Sequence, residues 1–413
     1  MENTINYNTT REMIDFLNSR YSFRYNSLLG CNEYRETTAK ATAFSPLDPR
    51  TRNRIALEVQ LEGIDASLHD LRSYLESDYI RSYNPIDEFL HDCDGAWDGH
   101  DHIAALADTV PTDTPLWREW FTTWLLAMVD QWRHHEGRIY GNSVAPLLIS
   151  PQGYNKSTFC RQLLPRNLAW GYTDCLNLAE RRQVMTAMSQ QLLINLDEFN
   201  QIAPRVQQGF LKNIIQLPNV RIRRPFATHT ETVPRTASFI ATSNMTDILA
   251  DPSGNRRFIG IELTAPIDIS HSPDHRQLFA QALHLLRHGQ RPWFDQAQTH
   301  AIMQWNRRYE IKEPAEQFFS MFFKPAPPPA ADDNAENWQT DANAVSQTVA
   351  DGLASEGEWL SAAEIFGVIK SKVGATLKAT NLMTFGRKLA NMPELPKRRF
   401  TSGMKYRVVR IYQ

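Results

Sequence analysis

The chain has few cysteines, and none of them is placed to organise a fold. Cys31, Cys93, Cys160 and Cys175 are scattered through 413 residues with no CxxC or other close spacing, which argues against both a zinc site and a disulfide framework. A reducing, cytoplasmic setting is the expectation. A large charge of one sign is also missing. The formal net charge is only -2, so nothing global advertises a nucleic-acid partner and any basic surface must be local. Nor is there a long apolar run. The most apolar helical stretch, Leu116 to Trp132, is interrupted by Arg118, Glu119, Asp130 and Gln131, too polar and too short to span a bilayer. Met1 to Tyr7 is polar where a secretion signal needs an apolar core, so neither export nor a membrane partner is expected.

What is present is an ordinary globular composition, 42% hydrophobic and 22% charged, in a chain long enough for two or three domains. Residues 1–110 carry short amphipathic patterns, such as Met13, Ile14 and Leu17 after Thr9 and Thr10, and Leu68, Leu71 and Leu75 after Ser67. They predict a helical N-terminal domain. In the next helix Trp117, Trp120, Phe121, Trp124 and Met128 recur at spacings of three and four, giving one broad face that belongs in a core. From Ser143 the pattern changes to short apolar runs separated by helical segments, which is how buried parallel strands in an α/β layer read. The runs are Val144 to Ile149, Gln191 to Leu196 and Ala237 to Thr242. The α/β domain is placed at 111–324, followed by a Pro-, Ala- and Asp-rich linker at 325–345 and a small domain at 346–413.

Chemistry concentrates where the predicted strands end. Ile149-Ser-Pro-Gln-Gly-Tyr-Asn-Lys-Ser-Thr158 matches the Lys-Ser/Thr end of GxxxxGK[ST], a loop whose backbone N–H groups surround phosphate oxygens while the Lys ammonium neutralises terminal phosphate charge and the Ser hydroxyl helps bind Mg2+. Gly153, Tyr154, Asn155, Lys156, Ser157 and Thr158 are therefore candidate nucleotide ligands, with Ser157 also a metal ligand. Ser150 and Asn155 occupy the two glycine positions, and Asn is the least damaging replacement because it tolerates positive φ. About forty residues on, Leu192 to Leu196 ends in Asp197-Glu198. Asp197 suits Mg2+, and Glu198 suits orienting and deprotonating a water. A solvated acidic pair at a strand end is the bland alternative.

The third run ends in Ser243-Asn244, where Asn244 suits a γ-phosphate contact or a water-positioning role, and a helix cap is the competing reading. Arg256 and Arg257 precede the apolar run Phe258 to Leu263; paired arginines suit stabilisation of transition-state phosphate charge, in cis or reaching a neighbouring subunit's nucleotide. Surface ion pairs compete with that. Arg221, Arg223, Arg224 and Arg235 form a further cluster that suits phosphate of nucleotide or DNA, with a solvated hairpin as the rival. His100 and His102 have a spacing that metals use but lie in a turn without a clear set of further ligands, so loop polarity is the better reading.

The ordered set of Gly153 to Thr158, Asp197-Glu198, Thr242-Ser-Asn244 and Gly254-Asn-Arg-Arg-Phe258, with Tyr83-Asn-Pro-Ile and Trp97-Asp-Gly upstream, resembles the virulence-associated protein E family over about Asn84 to Pro266. That family is similar to superfamily 3 helicases and to the primase-helicases of phages and mobile elements. The resemblance implies an AAA+-like P-loop ATPase core binding ATP and Mg2+, a homo-oligomeric ring of about six subunits, and DNA replication or unwinding on single-stranded or forked DNA, with a separate primase as a further partner. It also implies Asn244 as the sensor and Arg256 or Arg257 as the finger.

After the linker, Ser361 to Lys370 and Leu382 to Leu389 read as helices and Lys405 to Ile411 as a closing strand, the order of a winged-helix module; the tail resembles the C-terminal domain found with this family. Here the charge is one-sided, with Arg387, Lys388, Lys397, Arg398, Arg399 and Lys405 among the cations and Glu394 the one acid after Glu364. DNA-backbone contact with salt-sensitive affinity is the expectation; a solubilising or protein-docking surface is the rival. For the whole chain the rival is a non-catalytic, nucleotide-dependent DNA-binding or scaffolding protein with a degraded P-loop. A small-molecule kinase is weakened by the Asp-Glu pair, the following Asn and the basic tail.

Overall fold

The structure, a computed structural model, describes residues 2–37, 43–133, 139–223, 229–250, 255–311, 314–327, 357–374, 381–392 and 394–411. The chain forms two compact units, Met1–Glu310 and Ile311–Gln413, each mixed α/β.

The first unit begins with a helix, Glu2–Arg20, and then a sheet that the helical expectation for residues 1–110 did not include. Strands β1 (Tyr21–Asn26), β2 (Cys31–Glu36), β3 (Ser45–Pro46) and β4 (Ser82–Tyr83) pair in the order β3-β2-β1-β4. The expectation passed over a strand signal in β1, where Tyr21, Phe23 and Tyr25 alternate with polar residues, whereas β2, Cys31-Asn-Glu-Tyr-Arg-Glu36, carries Tyr34 as its one aromatic. Only the ends of β1 are buried and only Glu33 of β2 is, so the pair reads as a half-exposed hairpin without a continuous apolar run. Aromatic and polar contacts both support the hairpin: the Tyr21 ring lies 6.3 Å from that of Tyr34, Arg24 donates to Glu33 at 2.6 Å, and Asn26 Nδ2 donates to the same carboxylate at 2.8 Å. Gly30, at φ 70°, closes the turn in the left-handed region that glycine occupies without penalty. Helices Pro49–Leu61 and Leu68–Leu75 then pack Ile55, Val59, Leu71 and Leu75 against Met13 and Leu17.

The centre of the first unit is a five-stranded sheet, all parallel: β5 (Ala145–Ile149), β6 (Tyr172–Thr173), β7 (Leu193–Leu196), β10 (Ser238–Ser243) and β11 (Phe258–Glu262), in the order β11-β5-β10-β7-β6. Between β7 and β10 in sequence, β8 (Asn219–Ile222) and β9 (Glu231–Pro234) form a separate hairpin. Strands β5, β7 and β10 are buried at every position, as a sheet covered on both faces requires. The expected aromatic face of the helix Trp117–Trp132 is fully engaged, with Trp120, Phe121, Trp124 and Met128 at 1% exposure or less. Trp124 Nε1 and Gln131 Nε2 donate to the backbone carbonyls of Phe239 and Ala237, tying that helix to the central strand β10.

The second unit starts earlier than residue 346. Helix Pro314–Phe322 and strand β12 (Phe323–Pro325) belong to it, because Phe319 and Phe323 enter its core beside Ile365, Ile369, Phe385, Leu389 and Val408. Strands β13 (Glu358–Ser361), β14 (Lys397–Phe400) and β15 (Gly403–Arg410) pair antiparallel around β15, and the helices Ala362–Val373 and Leu382–Asn391 lie between β13 and β14 in sequence. The expected linker lies, from residue 328, outside the described residues. Among the described residues no helix is long and apolar enough to cross a membrane.

Candidate active site

Because the five central strands run the same way, their C-terminal ends deliver the following residues to one edge of the sheet, where open α/β sheets bind ligands. Register fixes the neighbours: Ala241 of β10 lies beside both Leu147 of β5 and Leu196 of β7. Ser150, Asp197 and Asn244 each stand one residue past the end of their strand. Placing β10 between β5 and β7 therefore puts Asn244 between the loop that follows β5 and the acidic pair that follows β7. Gln152, Gly153, Tyr154, Asn155, Lys156, Ser157, Thr158, Asp197, Glu198, Thr242, Ser243 and Asn244 line one cleft of roughly 320 Å3. Every candidate nucleotide and metal ligand, together with Glu198 and Asn244, meets there.

The loop owes its shape to two left-handed residues, Gly153 at φ 83° and Asn155 at φ 63°. Asn155 stands at the start of the helix Lys156–Gln162, but its side chain does not cap that helix. Its Nδ2 donates to the carbonyl of Ile267 at 3.0 Å, which anchors the strained residue to the segment after β11. The uncapped helix start leaves N–H groups without an intrahelical partner, the arrangement that binds anions.

Lys156 is 8% exposed. Its Nζ donates to the Ser150 carbonyl (2.8 Å), Ser150 Oγ (2.9 Å), the Pro151 carbonyl (3.0 Å) and Asn244 Oδ1 (3.0 Å). Burial lowers its pKa from the ordinary lysine value, and the charge of Asp197 opposes that shift. Ser157 Oγ lies 3.5 Å from Asp197 Oδ1. Adjacent ligands of an octahedral Mg2+ with bonds of about 2.0–2.1 Å are roughly 3 Å apart, so hydroxyl and carboxylate fit one such ion with a small shift. Thr242 Oγ1 donates to the same Asp197 oxygen, and Gln201 Nε2 donates to Glu198, whose backbone is also left-handed at φ 49°. A non-glycine residue held in that region is strained, and here it carries the second carboxylate. Thr242 and Gln201 escaped the residue-level reading of the sequence; the signal for Thr242 was a hydroxyl directly preceding Ser243-Asn244 in an otherwise apolar run. The cleft thus assembles one cation, hydroxyls, two carboxylates and three side-chain amides, a donor set for a phosphate chain and a hard divalent ion.

Two groups of candidates stand elsewhere. Arg256 and Arg257 precede β11, and Phe258 pairs with Ala145, the first residue of β5. They sit at the opposite edge of the sheet from the cleft, roughly 15 Å away at about 3.3 Å per strand residue. Neither arginine lines the cleft around Lys156. Arg257 is 8% exposed and donates to Gln216 Oε1 at 3.3 Å, whereas Arg256 is exposed. Both line a cleft of roughly 780 Å3 with Tyr140 and Trp293.

Arg235 is not a surface phosphate ligand. It is 1% exposed, and its guanidinium donates to the carbonyls of Ala237, Ile215, Leu217 and Asn142. Arg221 and Arg223 are exposed on the hairpin, while Arg224, like Gly254, lies outside the described residues.

In the second unit the basic residues separate by face. Arg398 pairs with Lys405 across β14 and β15, and both lie over the Phe400 ring at 5.7 Å, with Trp359 packed edge-on against Phe400. Lys397, one position away and so on the other face, donates to the Ala390 carbonyl near the C-terminus of the helix Leu382–Asn391, a helix-capping role. Arg387 and Arg399 are exposed, and Lys388 is half-buried.

Residues 90–311, more than half of the chain, match the model of the virulence-associated protein E-like domain. Among curated proteins nothing matches. Among solved structures the chain is similar to the apo structure of the NrS-1 C-terminal region, at 12% identity and a TM-score of 0.46, over 97% of this chain and 98% of that one. The A form of the same region gives 12% identity, a TM-score of 0.43 and the same coverage.

Proposed function

The chain belongs to the virulence-associated protein E-like family, and we propose that it is a P-loop, AAA+-like ATPase acting on DNA in the replication of a phage or other mobile element. The observation that carries this reading is the convergence of Lys156, Ser157, Asp197, Glu198 and Asn244 at the C-terminal ends of three adjacent parallel strands. Lys156 neutralises charge on the terminal phosphates of ATP, and the backbone from Gly153 to Thr158 cradles them. Ser157 and Asp197 would hold Mg2+, which supplies charge neutralisation at the phosphate oxygens when bound. Glu198 orients the attacking water and takes its proton, and Asn244, already 3.0 Å from Lys156 Nζ, positions that water or the γ-phosphate. Arg256, at the far edge of the sheet, serves a neighbouring copy's nucleotide, which requires a homo-oligomer. The second unit acts as a winged-helix DNA-binding module, with Arg398 and Lys405 contacting phosphates beside the Phe400 and Trp359 rings.

The occupation of both glycine positions by Ser150 and Asn155, together with the four oxygens that hold Lys156, favours a second reading. In it nucleotide binds without turnover and supports assembly or DNA binding alone. Steady-state ATP hydrolysis, measured with and without single-stranded DNA, separates the two. Turnover that DNA accelerates and K156A abolishes is the expected result. Nucleotide binding with no turnover under either condition selects the second reading.

A further inference from the structure

The turn that joins the helices Pro85–Cys93 and His102–Asp108 carries Trp97-Asp98-Gly99-His100-Asp101 and runs into His102, the first residue of the second helix, and hydrogen bonds hold it at both ends. The helix His275–Arg287 grips it at both ends. Gln277 accepts from the Asp98 backbone N–H at 2.9 Å and donates to the Ala96 carbonyl at 3.0 Å. One turn further along that helix, Gln281 accepts from the Ile103 N–H at 2.9 Å and donates to Asp101 at 2.8 Å. The Trp97 ring lies 4.4 Å from the His284 ring, and its Nε1 donates to the His100 carbonyl at 2.8 Å. Gly99, at φ 90°, lets the chain reverse within this frame.

What the frame presents is a set of three ligand atoms. Asp98 Oδ1 is 2.9 Å from His102 Nε2 and 3.4 Å from His100 Nδ1, and one ligand atom from each of the three residues lies within 4.8 Å of the others. Zinc bonds of about 2.0–2.1 Å in tetrahedral geometry set ligand-to-ligand edges of roughly 3.3 Å, so the 3.4 Å edge already has the length the ion needs, while the 2.9 Å edge, a hydrogen bond between His102 and Asp98, must open by a few tenths of an ångström. We propose that Asp98, His100 and His102 bind a Zn2+ ion, with the fourth position open to water. Two imidazoles and one carboxylate select zinc over Mg2+ and Ca2+, which take oxygen ligands. The spacing of His100 and His102 was visible in the sequence; the third ligand was not, because only the folded turn brings the Asp98 carboxylate between the two rings. None of these residues lines the cleft around Lys156, so the site stands independently of the ATPase reading.

The test uses the tag-free, metal-stripped full chain, titrated with Zn2+ by calorimetry and with Co2+ by visible absorption. One equivalent is expected to bind, with the visible bands of tetrahedral Co2+, unaffected by millimolar Mg2+. H100A is the informative variant because its side chain is 83% exposed, so its loss spares the fold. It should weaken Zn2+ binding by more than about tenfold, since even outer-shell partners cost roughly 10–100-fold, while nucleotide affinity stays unchanged. D98N should do the same. Stoichiometric Zn2+ binding that H100A leaves intact, or no binding at micromolar Zn2+, overturns the proposal.

Discussion

Lys156 is held by four oxygens from Ser150, Pro151 and Asn244, and a phosphate chain must compete with them for the same ammonium. Ser150 supplies two of the four, one from a side chain that glycine lacks. Removing it with S150G should therefore raise nucleotide affinity by up to about tenfold, within the roughly 1.5–3 kcal/mol of a hydrogen bond to a charged group. Titration with a fluorescent nucleotide analogue reads this directly, and weaker binding in S150G contradicts it. At Asn155 the cost is conformational. N155A forces alanine to φ 63° and removes the bond to Ile267, so it should destabilise the protein by about 1–2 kcal/mol, whereas N155G loses only the bond. A thermal melt in which N155A matches the parent contradicts this account of the loop.

At the scale of elements, the core strands were legible because burial on both faces demands unbroken apolar runs, and Asp197, Asn244 and Lys156 stood out because polar residues punctuate the ends of those runs. The N-terminal sheet was legible only in part: β1 alternates Tyr21, Phe23 and Tyr25 with polar residues, but its partner β2 carries Tyr34 among polar residues such as Glu33, which pairs with Arg24, and so shows no matching run. Arg235 shows the same limit for a single residue. In sequence it belongs to a basic cluster; in the fold it bonds four carbonyls from three segments in the interior and lies over the Phe239 ring. Both R235A and R235K should destabilise the protein by about 3 kcal/mol or more, because each leaves buried carbonyls without a donor and lysine cannot reproduce the planar fork. Chemical denaturation measures this, and a loss below about 1 kcal/mol in R235A would show that the cluster is a surface after all.

For the whole molecule, the decisive geometry is the distance between Lys156 and Arg256 across a single sheet. The order of residues held the clue: arginines that precede a parallel strand must lie at the edge opposite to residues that follow one. On the proposed reading, Arg256 acts as a finger between copies. Mixing K156A chains with R256A chains should then restore part of the activity that each variant lacks alone, because some interfaces combine an intact Lys156 with an intact Arg256. Absence of any recovery in co-assembled mixtures argues against the shared site. In the second unit, R398A with K405A should weaken DNA binding and make its dependence on salt shallower by about two counterions, whereas K397A should act chiefly on stability by uncapping a helix.

The most direct measurement compares wild type and E198Q for ATP binding and ATP hydrolysis in the same preparation. If Glu198 is the base at a nucleotide site built around Lys156, E198Q binds ATP as tightly as wild type and hydrolyses it roughly 10²–10⁴-fold more slowly. Hydrolysis by E198Q at the wild-type rate, or wild-type protein that does not bind ATP at all, contradicts the account.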